Sequence, residues 1–516
     1  MKVSDFIAQF LLERKMDQVF CVTGGWAMHL NDSFGRKLNV MYHNGEINCG
    51  YAALGWASVD KEIPSVVCTT SGCGSTNAIT PCLSAWQDSI PVFFISGSVN
   101  HKENLRSFEN SVRAYSGSDA DIITMVQCIT KFATEVRDPA EIGNIMEECY
   151  WNLMTGRKGP VWLSVPLDIQ AMETEGRVTW VPPSVRVVTP DVHIPLEDAK
   201  QPVIIIGGGI RECIPEFLEY VKQTNIPFVK TYLSIDVPGA IGRVGVYGDR
   251  NGNTIVQKAD LVIVLGCRLA HCLIGYKGIE FFAPNARIFQ VEIDPNEFHQ
   301  KRVEYIHADC KEFIKKLPVV SVEPWFEPFP VERNNTDPMN PYTILDDFFR
   351  RKPSDTNVVF SSGTLQSLTW HTAVPKEGDR IIVCTHGDMG YEIPASIGVA
   401  IKTKRRTFCL LGDGSFQFTI GELMHLKNMN LPITIMCFDN GGYAAINITQ
   451  NRYFKDGEFG TVFSFPSFEK LADVYGLPYY TEFVNVEEGP CLIHLKCKPQ
   501  GRYPVVAGNL DNFVLG

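Results

Sequence analysis

Arg406-Thr407-Phe408-Cys409-Leu410-Leu411-Gly412-Asp413-Gly414-Ser415 and Pro432-Ile433-Thr434-Ile435-Met436-Cys437-Phe438-Asp439-Asn440-Gly441-Gly442 are the two stretches on which the fold turns. Each is a short apolar, β-rich run ending in a Gly and carboxamide or carboxylate turn. Between them Ile420, Leu423, Met424 and Leu426 recur at helical spacing, so the segment reads as one strand, a crossover helix and a second, parallel strand. The carboxyl ends of two parallel strands emerge on the same sheet edge. Asp413 and Asn440 are therefore expected to converge although 26 residues separate them.

The same grammar recurs outward in both directions, predicting an α/β chain of three doubly wound parallel-sheet domains. Gln18 to Val22, Ser65 to Thr69, Pro91 to Ser96 and Gly159 to Pro166 read as strands of a first domain, 1–172. Pro202 to Ile206, Asp260 to Gly266 and Ile288 to Ile293 define a central domain, 190–318. Asn357 to Ser361, Arg380 to Thr385 and the two opening strands belong to a third, 340–516. Proline-rich stretches from Glu173 to Lys200 and from Pro318 to Pro341 read as linkers. The length of 516 residues agrees with about three domains at ~150 residues each.

Composition removes several function classes. Apolar residues are 45% and charged residues 20%, which is globular and not disordered or fibrous. Formal net charge is −11, so bulk attraction to nucleic acid or an anionic membrane is not expected. No apolar run approaches the ~18 residues of a membrane span, and the N-terminus has no signal-like stretch, so a cytoplasmic location is expected. The sixteen cysteines are scattered without a C-x-x-C pair, which reads as buried or half-buried free thiols in a reducing compartment.

An Asp carboxylate and an Asn carbonyl oxygen are hard ligands of the kind Mg²⁺ takes, the remaining positions going to phosphate oxygens and water. Gly414 permits close approach, and amides at the following helix start can donate to phosphate. With Gly412-Asp413-Gly414 and Asn440 at this separation, the chain resembles the thiamine diphosphate-dependent enzymes of the acetolactate synthase and pyruvate decarboxylase superfamily. The resemblance extends to Thr70 to Asn77 and Gly159 to Pro166 in the first domain, and to Gly266 to Leu269 and Val291 to Pro295 in the second.

The resemblance implies thiamine diphosphate and Mg²⁺ as cofactors, with Asp413, Asn440 and the carbonyl of Gly442 holding the metal. It implies that Glu46, nine positions before Gly55-Trp56-Ala57, is the catalytic acid that bonds the aminopyrimidine ring. Met389, in Gly387-Asp388-Met389-Gly390, is implied to wedge the bent cofactor, with the Gly387 carbonyl accepting from its amino group. The cofactor-binding set also takes in Gly24, Gly25, Gly363, Thr364, Gly412, Gly414, Ser415, Tyr443 and Ala444. The active site is implied to lie between subunits of a homodimer or homotetramer.

The implied reaction forms an acyl-anion equivalent from a 2-oxo acid such as pyruvate and passes it to a second carbonyl. Simple decarboxylases of the family carry a His-His pair and a Glu six residues past the metal Asn. Here only His101 stands in the first place and Ile446 in the second, which favours carboligation over aldehyde release. Ser118 and Asp119 replace the Gln-Glu pair of acetolactate synthases, which points to a different donor or acceptor, with a keto sugar among the acceptors. Hydrolysis of a cyclic diketone is an alternative, as is simple decarboxylation; a scaffold-only regulatory protein is the alternative without catalysis. In the central domain Ile206-Gly207-Gly208-Gly209 lacks a G-x-G-x-x-G pattern, so an empty domain is favoured over the FAD that acetolactate synthases carry there.

Overall fold

The computed structural model describes residues 1–110, 112–184, 189–275, 278–300, 302–330, 336–454 and 458–499. They form three six-stranded, wholly parallel sheets, as expected for an α/β chain of three doubly wound units. The end of the third expected domain, 500–516, lies outside the described residues.

The first sheet contains β1 (Gln18–Cys21), β2 (Asn39–Tyr42), β3 (Ser65–Thr69), β4 (Val92–Ser98), β5 (Phe132–Glu135) and β6 (Val161–Pro166), in the order β2-β1-β3-β4-β6-β5. The second contains β7 (Pro202–Ile206), β8 (Phe228–Lys230), β9 (Gly242–Arg243), β10 (Leu261–Leu265), β11 (Arg287–Glu292) and β12 (Glu304–His307), ordered β12-β11-β10-β7-β8-β9. The third contains β13 (Asn357–Phe360), β14 (Arg380–Val383), β15 (Thr407–Gly412), β16 (Ile433–Asp439), β17 (Tyr479–Tyr480) and β18 (Cys491–Lys496), ordered β14-β13-β15-β16-β18-β17. Runs such as Leu261–Leu265 are buried at every position, because helices cover both faces of a parallel sheet.

Each sheet reverses its winding beside its first strand. In the third sheet the chain steps one way from β13 to β14 and the other way to β15. The crevice at such a reversal is where α/β sheets bind ligands. Its walls here are the segments after β13 and β15, residues 361–364 and 412–415.

The first and third domains are joined by two helices, Glu46–Val59 and Glu392–Thr403. A Cβ on Gly55 would stand 2.2 Å from the Ala395 carbonyl oxygen, and one on Gly398 would stand 2.0 Å from that of Ala52. The helices touch backbone to backbone because glycine stands at both crossings. Arg380 donates to the carbonyls of Ser58 and Val59 at 3.2 and 2.8 Å, closing the helix end from the opposite domain.

Three details depart from the sequence reading. The crossover after β15 is not one helix. It is broken into Asp413–Phe418, a 3₁₀ turn Ile420–Glu422 and Leu423–Asn428, and Met424 faces solvent at 40% exposure while Leu423 and Leu426 are buried. The break lets the face turn, so a strict helical period misplaces Met424. All sixteen cysteines are free, but Cys73, Cys128 and Cys272 are exposed and not buried or half-buried. The strand Val161–Pro166 ends the first domain's strand series in sequence yet lies inside the sheet, between β4 and β5. Among the described residues no helix is long and apolar enough to cross a membrane.

Candidate active site

Asp413 opens the helix after β15 and is 2% exposed. Its Oδ2 accepts from the backbone N–H groups of Asn440, Gly441 and Gly442 at 2.9, 2.8 and 3.0 Å, and its Oδ1 from Gly414 N–H at 2.6 Å. Strands β15 and β16 pair in register, Gly412 beside Phe438, which sets the loop after β16 against the carboxylate. Burial raises the Asp413 carboxyl to about 6 against the downward pull of these four donors. The loop is built to hold a carboxylate here, and a cation would complete the charge balance.

Asn440 Oδ1 is buried and has no hydrogen-bond partner. A buried carbonyl oxygen without a donor is costly, and it belongs to a residue whose backbone N–H is bound to the caged carboxylate. Gly442 adopts φ +140°, and a Cβ there would strike the Thr461 carbonyl oxygen at 2.1 Å, so only glycine fits. Tyr443 donates its N–H to Thr461 at 2.8 Å, and Ala444 begins the helix Ala444–Tyr453.

Glycines around this loop leave a cradle. Cβ atoms built on Gly363, Gly387, Gly412 and Gly441 meet nothing within 4 Å. Gly363 and Thr364 open the helix Gly363–Thr372 after β13, on the crevice wall. Gly414 faces the other way: a Cβ on it would meet the Tyr443 ring at 2.4 Å and Met389 Cε at 3.3 Å. Met389 is thereby placed against the Asp413 loop. Beneath it, Ser415 Oγ donates to Glu392 Oε2 at 2.6 Å and accepts from Gly390 N–H at 2.7 Å. Ser362 N–H reaches Glu392 Oε1 at 3.3 Å. Burial raises the Glu392 carboxyl to about 7. Glu392, absent from the sequence reading, ties the turns after β13, β14 and β15 together. Its only sequence signal is a Glu among the apolar residues that follow Met389.

In the first domain Gly24 packs on Thr70, where a Cβ would stand 2.4 Å from Thr70 Cβ, whereas one on Gly25 would meet nothing. Both lie after β1, at this sheet's own winding reversal. Glu46 opens its helix half-buried, and its Oε2 accepts from Asn77 Nδ2 at 3.1 Å. None of the described hydrogen bonds joins Glu46 to Asp413, Asn440 or Met389 within one chain. The structure therefore gathers the third-domain residues into one cluster and the first-domain residues into another.

A cavity of about 360 Å³ lies where the three domains meet, with Lys61, Arg157, Arg211 and Arg268 among its lining residues. Gly207, Gly208 and Gly209 line it as well, and the side of Gly207 and Gly209 where a side chain would stand is taken up by the neighbouring turn. Cβ atoms there would strike Gly266 O at 2.2 Å and Gly266 Cα at 2.6 Å, so these glycines serve backbone packing between β7 and β10.

Family patterns match along the chain in the same order as the sheets. Residues 1–117 match the description "Thiamine pyrophosphate enzyme, N-terminal TPP binding domain", 194–317 the central domain and 361–490 the C-terminal TPP binding domain. The chain belongs to the thiamine pyrophosphate enzymes. It is similar to the acetolactate synthase isozyme 1 and isozyme 2 large subunits of Escherichia coli K12, 26% identical to each over 99% of this chain and 96% and 98% of theirs. It is also similar to a probable acetolactate synthase large subunit of Methanocaldococcus jannaschii, 27% identical over 92% of this chain and 87% of that one. It is thus a thiamine diphosphate-dependent enzyme of the acetolactate synthase type. The open cradle of glycines and the orphaned Asn440 oxygen fit the diphosphate end of that cofactor.

Proposed function

We propose that the protein is a carboligase that decarboxylates a 2-oxo acid such as pyruvate and transfers the acyl unit to a second carbonyl, using thiamine diphosphate and Mg²⁺. The observation that carries this reading is the Asp413 carboxylate caged by the loop of Asn440, whose own side-chain oxygen is buried without a partner. Asp413, Asn440 and the Gly442 carbonyl would hold Mg²⁺ against the diphosphate. Gly363, Thr364, Gly412, Ser415, Tyr443 and Ala444 would line the diphosphate, helix starts presenting N–H groups to it, while Gly414 would serve it indirectly by donating to Asp413 and letting Tyr443 and Met389 pack close. When bound there, thiamine diphosphate would supply the nucleophilic carbon and the electron sink that decarboxylation of a 2-oxo acid needs.

The chain's own residues do the rest. Met389 would support the cofactor, and Gly387, at φ +82° with nothing within 4 Å of where a Cβ would stand, would leave its carbonyl open to the cofactor's amino group. Glu46 would hold a proton at the ring nitrogen of the cofactor, and Gly24 and Gly25 of the same domain would line its pyrimidine end. A homodimer with each active site between subunits would set Glu46 of one chain across the cofactor from Asp413 of the other. Exposed Phe418, Ile446, Phe454, Phe459 and Val462 around the diphosphate loop support a covered face there. Leu105 N–H donates to Asp119 Oδ2 at 2.8 Å, and Ser118 O accepts from Ser71. Both residues are thus engaged with the chain where acetolactate synthases carry Gln-Glu, which supports a different substrate pair. The test is incubation with thiamine diphosphate, Mg²⁺ and a panel of 2-oxo acids with ketone, aldehyde and keto-sugar acceptors, read by CO₂ release and product mass. Ligated product with CO₂ is expected; no CO₂ from any 2-oxo acid overturns it.

A further inference from the structure

The first and third domains also meet at a cluster of ligand-type side chains that the cofactor site does not use. His43 directly follows β2. Glu422 ends the 3₁₀ turn Ile420–Glu422, and His425, three residues on, lies in the helix Leu423–Asn428. One ligand atom from each of the three lies within 4.8 Å of the other two. His43 Nδ1 is 2.7 Å from Glu422 Oε2, and His425 Nε2 is 3.9 Å from the same oxygen. The side chains of His43 and Glu422 are fully buried, and His425 is 13% exposed.

The surroundings aim this set inward. Glu422 Oε1 accepts from Asn44 N–H at 3.2 Å and Asn48 Nδ2 at 2.7 Å, which turns Oε2 toward both imidazoles. Such outer hydrogen bonds are what orient metal-binding carboxylates. Yet the cluster is incomplete as it stands. His425 Nε2 is buried with no hydrogen-bond partner, and its 3.9 Å gap to Glu422 is too long for one. Burial holds the His425 imidazole below its ordinary value, and, against the upward push of burial, His43 holds the Glu422 carboxyl below its own. Both groups stand in the forms that bind metals.

We propose that His43, Glu422 and His425 bind a divalent transition-metal ion that clips the first domain to the third, beside the segment carrying Glu46. Two imidazole nitrogens and one carboxylate oxygen suit Zn²⁺ or Fe²⁺ and not Mg²⁺, which prefers oxygen throughout. Glu422 and His425 form a Glu-x-x-His pair on consecutive turns, and His43 supplies the third ligand from 379 residues away in sequence. Water fills the remaining positions. The site is separate from Asp413 and Asn440, and its occupancy does not depend on the carboligase reading.

The test uses the full-length protein, stripped with a chelator and titrated with Zn²⁺ in excess Mg²⁺, with metal content measured after desalting. One zinc per chain is expected, together with a rise in melting temperature. Co²⁺ in its place is expected to give ligand-field absorption. Asn48→Ala, which removes an orienting hydrogen bond, is expected to weaken zinc about 10-fold to 100-fold. His425→Ala, at the partly exposed rim where folding tolerates the change, is expected to weaken it further and abolish the cobalt spectrum. Asp413→Asn is expected to keep both. The proposal is overturned if the wild-type protein retains no zinc, if His425→Ala retains it with unchanged affinity, or if zinc leaves with Asp413→Asn.

Discussion

Gly398→Ala probes the seam that positions the Glu46 helix. The new methyl carbon would lie 2.0 Å from Ala52 O, 2.9 Å from Ala52 C and 3.0 Å from Trp56 N. All three are backbone atoms of a buried helix, so no side chain can rotate away. Ordinary carbon contacts lie near 3.5 Å, so the two helices must part by more than about 1 Å at this crossing. Overpacking of this kind costs about 1–3 kcal/mol, and backbone contact on the opposing side places it at the upper end, about 3 kcal/mol. At roughly 2 °C per kcal/mol for a large domain, the first melting transition should fall by about 6 °C. Differential scanning fluorimetry measures it, with Gly117→Ala as control, since a Cβ there meets nothing within 4 Å and the residue is exposed. Parting the helices also shifts Glu46, so a loss in thiamine diphosphate-dependent turnover should accompany the destabilisation. Identical melting of Gly398→Ala and wild type would refute the backbone-to-backbone seam.

Asp413→Asn replaces an acceptor of four N–H groups by one oxygen and one NH₂, leaving the Gly414 N–H facing a donor. Unpaired buried donors cost about 1–3 kcal/mol, so calorimetric affinity for Mg²⁺ and thiamine diphosphate together should fall about 10-fold or more; unchanged affinity would exclude Asp413 from the site. Glu392 gives a pH signature. Its folded carboxyl lies at about 7 against an ordinary 4.5, so between those values the folded state binds more protons and stability falls as pH rises. About 3 kcal/mol should be lost from pH 4.5 to above 7 in the cofactor-free protein, and urea denaturation of Glu392→Gln should show a shallower decline; parallel curves would show that Glu392 is not buried as a neutral acid.

Much of the architecture was legible because parallel strands buried on both faces read as unbroken apolar runs. Leu261–Leu265 and Ile433–Asp439 are of this kind. Short edge strands gave no such signal: β9 and β17 are two residues each, and Asn39–Tyr42 at the edge is largely unburied. β18, though central, ends in no motif that sets it apart from other apolar stretches. The convergence of Asp413 with the loop after Asn440 follows from strand direction alone, so the sequence could place it. What sequence spacing could not place is contact across domains. The His43–Glu422 pair and the Gly55 and Gly398 crossings arise between segments more than 300 residues apart, where only packing decides which faces meet. On the proposed reading, the role of Glu46 depends in turn on a second chain.

That dependence gives the most direct measurement. Glu46→Gln and Asp413→Asn chains, each inactive alone, are unfolded together, refolded at equal concentration and assayed for 2-oxo-acid turnover. If each active site takes Glu46 from one subunit and Asp413 from the other, random pairing makes half the dimers mixed, each with one intact site, and about a quarter of wild-type activity returns. If both residues serve a site within a single chain, every site carries a defect and the mixture stays inactive.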